Sequence, residues 1–231
     1  MSFDSFGLPS EVLQSLNKQQ FKNPYPIQKA AIPAILKGKD LLGIAKTGSG
    51  KTASYVLPIL SKQIAKSEAK NRSAKVLVLV PTRELAEQVK EVFRSFSIGL
   101  SKPIKTMAVY GGVSINPQMK GLYGVNILIA TPGRLLDLID SNAVQLDHVE
   151  TFVLDEADKM LSLGFREEID RILSLLPKKR QNLLFSATLN QELDDINKVL
   201  LNDPKVVQIA SLVEEPELID ETGYFVSDER K

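Results

Sequence analysis

A glycine-rich segment is the sequence feature that most constrains the fold of this chain. The apolar run Asp40–Ala45 leads directly into Lys46-Thr-Gly-Ser-Gly-Lys-Thr52, and a helical pattern follows. The two glycines let backbone N–H groups turn toward an anion, and the helix presents its positive N-terminal end to the same point. Lys51 can reach the β- and γ-phosphates of a nucleotide, and the Thr52 hydroxyl can bind Mg²⁺. The strand–loop–helix order therefore predicts a phosphate-binding loop.

Seven short apolar runs alternate with segments of helical periodicity along the chain. Most runs are apolar almost throughout, which is typical of strands covered on both faces. Between them, Leu85, Val89, Phe93 and Phe96 recur at the offsets of one helix face. Strands joined by helices favour an α/β fold: a mostly parallel β-sheet with helices on both faces. The predicted strands cover residues 40–45, 75–80, 104–109, 125–130, 149–154, 182–185 and, as a possible seventh, 205–209.

The composition excludes several kinds of site. The chain has no cysteine and a single histidine, His148, which rules out disulfides and zinc sites of the usual kind. A formal net charge of +1 gives no overall attraction to nucleic acid, so RNA binding would need a local patch of Lys and Arg. No apolar run approaches the roughly 20 residues that would cross a bilayer, and the first residues lack a secretory signal pattern. We therefore expect a cytoplasmic protein without membrane contact.

An acidic segment supplies the groups that ATP hydrolysis needs beside a phosphate loop. Asp155 and Glu156 follow the predicted strand 149–154, at the edge where open α/β sheets place their ligands. Asp155 would hold Mg²⁺ through water, and Glu156 would act on the attacking water. Acidic residues are also favoured at any helix N-terminus, and that alternative would be preferred for an isolated Asp-Glu pair.

The motifs together resemble the first domain of a DEAD-box RNA helicase. Residues 155–158 spell DEAD, and the match covers nearly the whole chain with seven motifs in the family's order. Ala45, which departs from the general phosphate-loop pattern, is a usual residue in that family. Gln20, Tyr25 and Lys46 depart from the family pattern. The motifs are Pro26-Ile27-Gln28, Ala45–Thr52, Pro81–Ala86, Gly111-Gly112, Thr131–Arg134, Asp155–Asp158 and Ser186-Ala187-Thr188.

The resemblance implies a RecA-like fold and a site for ATP and Mg²⁺. It implies that Gln28 reads the adenine edge, that Phe21 stacks on the base, and that Glu156, Lys51 and Asp155 form the catalytic set. Thr52 and Asp155 would hold the metal. The residues expected to bind the nucleotide are Phe21, Gln28, Ala45, Lys46, Thr47, Gly48, Ser49, Gly50, Lys51 and Thr52.

The same resemblance implies sequence-independent contacts to the RNA backbone. Arginine supplies charge, threonine a hydroxyl, and glycine a bare N–H that a phosphate can approach closely. The segments could alternatively be simple turns or helix caps. Ser186 and Thr188 would bond to Asp158 and relay the nucleotide state. The expected RNA contacts are Pro81, Thr82, Arg83, Gly111, Gly112, Thr131, Gly133 and Arg134.

The expected domain organisation is one RecA-like domain over residues 1–210, which includes an adenine-recognition segment at 1–38. Residues 211–231 are acidic and contain a proline, as expected of a linker toward a second RecA-like domain of the same protein. We expect a monomer that binds nucleotide but needs the second domain to unwind RNA. An ATP-dependent RNA clamp uses the same motifs, and a P-loop ATPase acting on DNA or protein would share only Lys51 and Asp155.

Overall fold

A computed structural model of the protein describes residues 2–65 and 72–209. The expected domain lies largely within these ranges, whereas the expected linker 211–231 lies outside the described residues. Seven strands are present in the described part: β1 (Leu41–Ile44), β2 (Val76–Leu79), β3 (Thr106–Val109), β4 (Ile127–Ala130), β5 (Thr151–Leu154), β6 (Gln181–Ser186) and β7 (Lys205–Gln208).

Nine α-helices connect and cover these strands in the ranges described. A short 3₁₀ helix, Phe3–Phe6, precedes them and buries both of its phenylalanines. The helices are α1 (Ser10–Lys18), α2 (Pro26–Leu36), α3 (Lys51–Ile64), α4 (Arg83–Ser97), α5 (Ile115–Gly121), α6 (Pro132–Asp140), α7 (Ala157–Ser162), α8 (Arg166–Leu175) and α9 (Gln191–Leu200).

The strands form one parallel sheet in the order β3-β4-β2-β5-β6-β1-β7. All seven predicted strands are confirmed, with ends that differ by one or two residues. The phosphate-loop strand β1 lies between β6 and β7, and β6 separates it from β5, the strand that precedes the acidic segment. The loops that follow β1, β5 and β6 are therefore neighbours at one edge of the sheet.

Helices cover both faces of the sheet, as predicted. Because side chains alternate along a strand, Val76 and Val78 join the core under α1 to α4, whereas Leu77 and Leu79 join the core under α5 to α9. Both cores are built from fully buried aliphatic and aromatic side chains. This double cover explains why the strands read as continuous apolar runs.

Candidate functional site

All seven motif segments predicted from the sequence lie at or beside the carboxyl edge of the sheet. A cleft of about 410 Å³ at this edge is lined by the loops after β1, β5 and β6. The residues around it are Thr47, Glu156, Asp158, Lys159, Ser162, Ala187, Thr188 and Asn190. Residues far apart in the chain thus meet where a parallel sheet presents its ligand site.

The phosphate loop runs from β1 into the first turn of α3. Gly48 and Gly50 both adopt left-handed backbone conformations, with φ of 82° and 87°. A Cβ on Gly50 would lie 2.5 Å from the Gln28 amide nitrogen, so this position needs glycine for both its φ and its space. Ala45 is buried, and Lys46, Thr47 and Gly48 are exposed.

Lys51 is folded back onto its own loop. Its ammonium donates a 2.6 Å hydrogen bond to the Ala45 carbonyl, and only 7% of the residue is exposed. Ser49, in the same loop, has a buried hydroxyl without a hydrogen-bond partner in the part of the chain that the structure describes. A buried donor without a partner is costly, and a phosphate oxygen would satisfy both groups. The loop therefore contains a lysine ammonium bonded to its own backbone and, among the described residues, a serine hydroxyl without a partner.

Gln28 ties the adenine-recognition segment to the phosphate loop. Its Oε1 accepts from the Tyr25 N–H at 2.9 Å, and its Nε2 donates to the Gly50 carbonyl at 3.1 Å. The side chain is completely buried. The sequence pattern did not indicate that Gln28 would bond to the phosphate loop. Phe21 is half-buried against Phe96 and lines a neighbouring cleft of about 540 Å³ together with Tyr25. One N–H and one lone pair of the Gln28 amide remain for a further partner.

The Asp155 carboxylate is buried and held by two donors. Its Oδ1 accepts from the Glu156 N–H at 2.9 Å, and its Oδ2 accepts from the Tyr55 hydroxyl at 2.8 Å. Burial raises the pKa of Asp155 to about 6, although the Tyr55 hydrogen bond and the Lys51 charge act in the opposite direction. The Lys51 ammonium is thus close enough to Asp155 for its charge to lower the pKa of that carboxyl.

Tyr55 is a site residue that the sequence reasoning missed. It lies on α3, and Thr52, the other predicted metal residue, interacts with the same side chain. Burial raises the pKa of Tyr55 well above its usual value, and the adjacent Asp155 charge adds to this rise. The only sequence signal was its place one helical turn after Thr52, which does not reveal a contact across 100 positions in the chain.

Glu156 adopts an unusual backbone conformation at the N-terminus of α7. Its φ of 51° lies in the left-handed region, which is uncommon for a residue other than glycine. The side chain is one-fifth exposed, and its Oε2 lies 3.6 Å from the Lys159 ammonium. The turn aims Glu156 toward the cleft rather than into the core.

Asp158 is bound to the segment that follows β6. Its Oδ2 accepts from the Ala187 N–H at 3.2 Å, the Thr188 N–H at 3.0 Å and the Thr188 hydroxyl at 2.8 Å. Ser186 is buried, and its hydroxyl donates to the Thr188 carbonyl at 2.8 Å. Burial would raise the pKa of Asp158, but the hydrogen bonds from Thr188 and its neighbours hold that pKa below its usual value. The Asp155–Asp158 and Ser186–Thr188 motifs are therefore joined by hydrogen bonds.

The three loops expected to contact RNA also contact one another. The Arg83 guanidinium lies 5.0 Å from the centre of the Tyr110 ring, just before Gly111 and Gly112. Arg134 donates to the Val113 carbonyl at 2.9 Å and is only 9% exposed. The Gly111, Gly112 and Gly133 backbones are exposed, and nothing lies within 4 Å of a Cβ built on any of them.

One residue in these loops also caps a helix, as the alternative interpretation of the sequence anticipated. The Thr82 hydroxyl accepts from the Leu85 N–H at 3.3 Å and caps α4, whereas Thr131 precedes α6 without a side-chain capping hydrogen bond. Pro81 is buried. Gln118, which the sequence reasoning missed, bonds through its amide to both the N–H and the carbonyl of Tyr110, at 3.1 and 3.2 Å.

Two negative findings apply to residues 2–65 and 72–209. No helix there is long and apolar enough to cross a membrane. No group of three or more His, Cys, Asp or Glu side chains there could by itself hold a metal ion.

Comparison with known proteins gives consistent matches. The family model described as "DEAD/DEAH box helicase" matches residues 25–196. The DEAD-box ATP-dependent RNA helicase CshA of Streptococcus pneumoniae is 44% identical over 232 residues, which cover 100% of this chain and 43% of the relative. The DEAD-box ATP-dependent RNA helicase 20 of Arabidopsis thaliana is 46% identical over 91% of this chain and 42% of its own length.

A solved structure shares the fold. The crystal structure of a DEAD box protein from Methanococcus jannaschii superimposes with a TM-score of 0.83 at 36% identity, over 90% of this chain and 56% of that one. The chain thus spans less than half the length of the curated relatives described above.

Proposed function

This chain belongs to the DEAD/DEAH box helicase family, and on that premise we propose that it is the ATP-binding RecA-like domain of an ATP-dependent RNA helicase. One observation carries the proposal. The phosphate loop, the Asp155–Asp158 segment and the Ser186–Thr188 segment line a single cleft at the carboxyl edge of the sheet. A nucleotide bound there would contact the groups that hydrolyse it and the groups that report its presence.

The residues of the loop fit a nucleotide triphosphate. The Lys51 ammonium has two N–H donors beyond the one bonded to the Ala45 carbonyl, and these would bond to phosphate oxygens, while the buried Ser49 hydroxyl would gain a partner. Phe21, which lines the neighbouring cleft, would stack on adenine, and the Gln28 amide would read the adenine edge.

The donor set also fits Mg²⁺. The hydroxyl of Thr52 and the carboxylate of Asp155 are oxygen ligands, and Mg²⁺ is commonly held by one or two carboxylates together with substrate phosphates. When bound, the ion would neutralise charge on the phosphates. Asp155 would contribute its carboxylate through water, in the orientation fixed by Tyr55 and the Glu156 N–H.

Glu156 would act as the general base for hydrolysis. Its side chain is partly exposed at the cleft, where an attacking water could be held and deprotonated. Asp158 would then pass the nucleotide state to residues 186–188 through its three hydrogen bonds. A change at the phosphates would reach this segment because Asp158 and Glu156 belong to the same turn.

RNA would lie along the loops after β2, β3 and β4. Exposed N–H groups near Gly111, Gly112 and Gly133, together with Thr82, Arg83 and Thr131, suit contacts to phosphate and sugar. Arg134 would support RNA binding by holding the loop at Val113, since its guanidinium is largely buried. None of these groups addresses base edges, so binding would be independent of sequence.

A second RecA-like domain would complete the enzyme. Charge on the transferred phosphoryl group requires a further cation, and an arginine from a separate element contributes about 10³–10⁵ in rate in related P-loop enzymes. The arginines near this edge, Arg83 and Arg134, contact Tyr110 and Val113 instead. We propose that the completed protein acts as a monomer in the cytoplasm.

The test is ATP turnover and duplex separation by a protein that joins this chain to a second RecA-like domain. Turnover should rise with RNA, and Glu156→Gln should abolish most of it while Mg-ATP binding persists. The control is Glu167→Gln, in the first turn of α8. Turnover that survives Glu156→Gln would contradict the role of Glu156. ATP-dependent RNA retention without duplex separation would instead identify an RNA clamp.

A further inference from the structure

Tyr55 has a hydroxyl group that the packing of its ring does not require. The ring is fully buried on α3, with its centre 5.3 Å from that of Phe185 and 6.4 Å from that of Phe93. A phenylalanine would fill the same space in this aromatic cluster. The hydroxyl instead donates to Asp155 Oδ2 at 2.8 Å, so its role must be sought at the carboxylate.

The Asp155 carboxylate has one donor on each oxygen. The donor to Oδ1 is the Glu156 N–H, which lies in the same turn as Asp155 and moves together with it. The donor to Oδ2 is Tyr55, which belongs to the helix that begins at Lys51. Asp155 is 2% exposed, so no bulk water replaces a lost donor. Tyr55 is therefore the contact that fixes this carboxylate relative to the phosphate loop.

Tyr55 also lies next to the second residue expected to hold the metal. Thr52 is one helical turn earlier on α3, so the two side chains share a face of the helix, and they interact. A single phenol thus touches both predicted metal-holding side chains, which come from segments about 100 positions apart.

We infer that Tyr55 is a positioning residue. It holds the Asp155 carboxylate in place near Thr52, so that the nucleotide binds more tightly when Mg²⁺ is present. The inference rests on the proposed function, because it needs a nucleotide in the cleft. Groups that orient the ligands of a metal typically change metal affinity or activity by 10–100-fold when they are removed. Because Asp155 is expected to hold Mg²⁺ through water, the effect should lie at the lower end.

The experiment measures binding and needs no turnover. Calorimetry gives the Kd of the chain for the non-hydrolysable ATP analogue adenylyl-imidodiphosphate, once in excess Mg²⁺ and once in EDTA. The ratio of the two values is the Mg²⁺ coupling. Tyr55→Phe should reduce this ratio about tenfold and leave the Kd in EDTA unchanged. The matched control is Tyr123→Phe, which removes the hydroxyl of an exposed tyrosine and should change neither value.

A double-mutant cycle with Asp155→Asn provides a second measurement, and thermal melts establish that each variant is folded. If Tyr55 acts through Asp155, Tyr55→Phe should reduce the coupling much less in the Asp155→Asn background than alone. Full Mg²⁺ coupling in Tyr55→Phe would overturn the inference while the proposed function stands. An equal loss of affinity in Mg²⁺ and in EDTA would also overturn it, because it would show a structural role. Absence of nucleotide binding in the unaltered chain would contradict the proposed function itself.

Discussion

Replacement of Asp155 by asparagine should remove a pH-dependent loss of stability from the nucleotide-free protein. Burial raises the pKa of Asp155 from 3.8 to about 6, so the folded chain holds this proton more tightly than the unfolded chain. Below about pH 3 the carboxyl is protonated in both states and its ionisation has no effect on stability. As the pH rises from about 3 to 6, the unfolded state ionises first, and the wild-type protein loses stability.

The size of this loss follows from the two pKa values. A shift of about two pKa units at about 1.36 kcal/mol each amounts to about 3 kcal/mol. Asparagine retains the shape and an oxygen for the Glu156 N–H, and the Tyr55 hydroxyl can rotate to accept from the amide. The free-energy difference between Asp155→Asn and the wild type should therefore grow by about 3 kcal/mol from about pH 3 to pH 7. The second amide N–H of the asparagine has no partner among these groups, and the cost of leaving it unpaired is the same at every pH.

Urea denaturation in EDTA across this pH range measures the difference, since the midpoint and slope give the free energy of unfolding. The control is Asp158→Asn, for which the sign is opposite. The pKa of Asp158 is lowered, so its contribution is present above the unfolded pKa and is lost as the pH falls through the folded pKa. Parallel stability curves for Asp155→Asn and the wild type would contradict this expectation, and so would a free-energy difference that shrinks as the pH rises.

Two further predictions concern the adenine segment and the RNA loops. ATP should bind at least about tenfold more tightly than GTP, because guanine would leave polar groups of Gln28 unpaired, and similar dissociation constants by calorimetry would contradict this assignment. Gln118→Ala should accelerate hydrogen exchange of the Tyr110 amide about tenfold, whereas the exposed-site control Gln88→Ala should not, and unchanged exchange would show that Gln118 does not hold the loop.

The strands could be predicted from the sequence because five of the seven are buried at every position, β3 and β7 being the exceptions. Runs such as Val76–Leu79 are apolar at each position, and no surface-exposed position interrupts them. Their ends were less predictable because they depend on distant partners. Strand β3 begins at Thr106 rather than Ile104, since the Lys105 N–H bonds to the side chain of Asn126 instead of a neighbouring strand.

The members of the candidate site could largely be predicted, but their present contacts could not. Motif order identified Lys51 and Gln28, yet nothing in it indicates that Lys51 bonds to the Ala45 carbonyl or that Gln28 is completely buried. Arg134 is a further example. Its motif suggested contact with RNA but did not indicate that the guanidinium donates to the Val113 carbonyl. These contacts depend on how the loops pack against one another, which local residue patterns do not encode.

Residues 45–52 are proposed to bind the phosphates of a nucleotide through Lys51. Calorimetric titration of the wild type and Lys51→Ala with Mg-ATP and with adenosine separates phosphate binding from base binding. Because only ATP has phosphates to lose, Lys51→Ala should weaken ATP binding by about tenfold or more and leave adenosine binding nearly unchanged. An equal loss of affinity for both ligands, or no loss for ATP, would contradict the account.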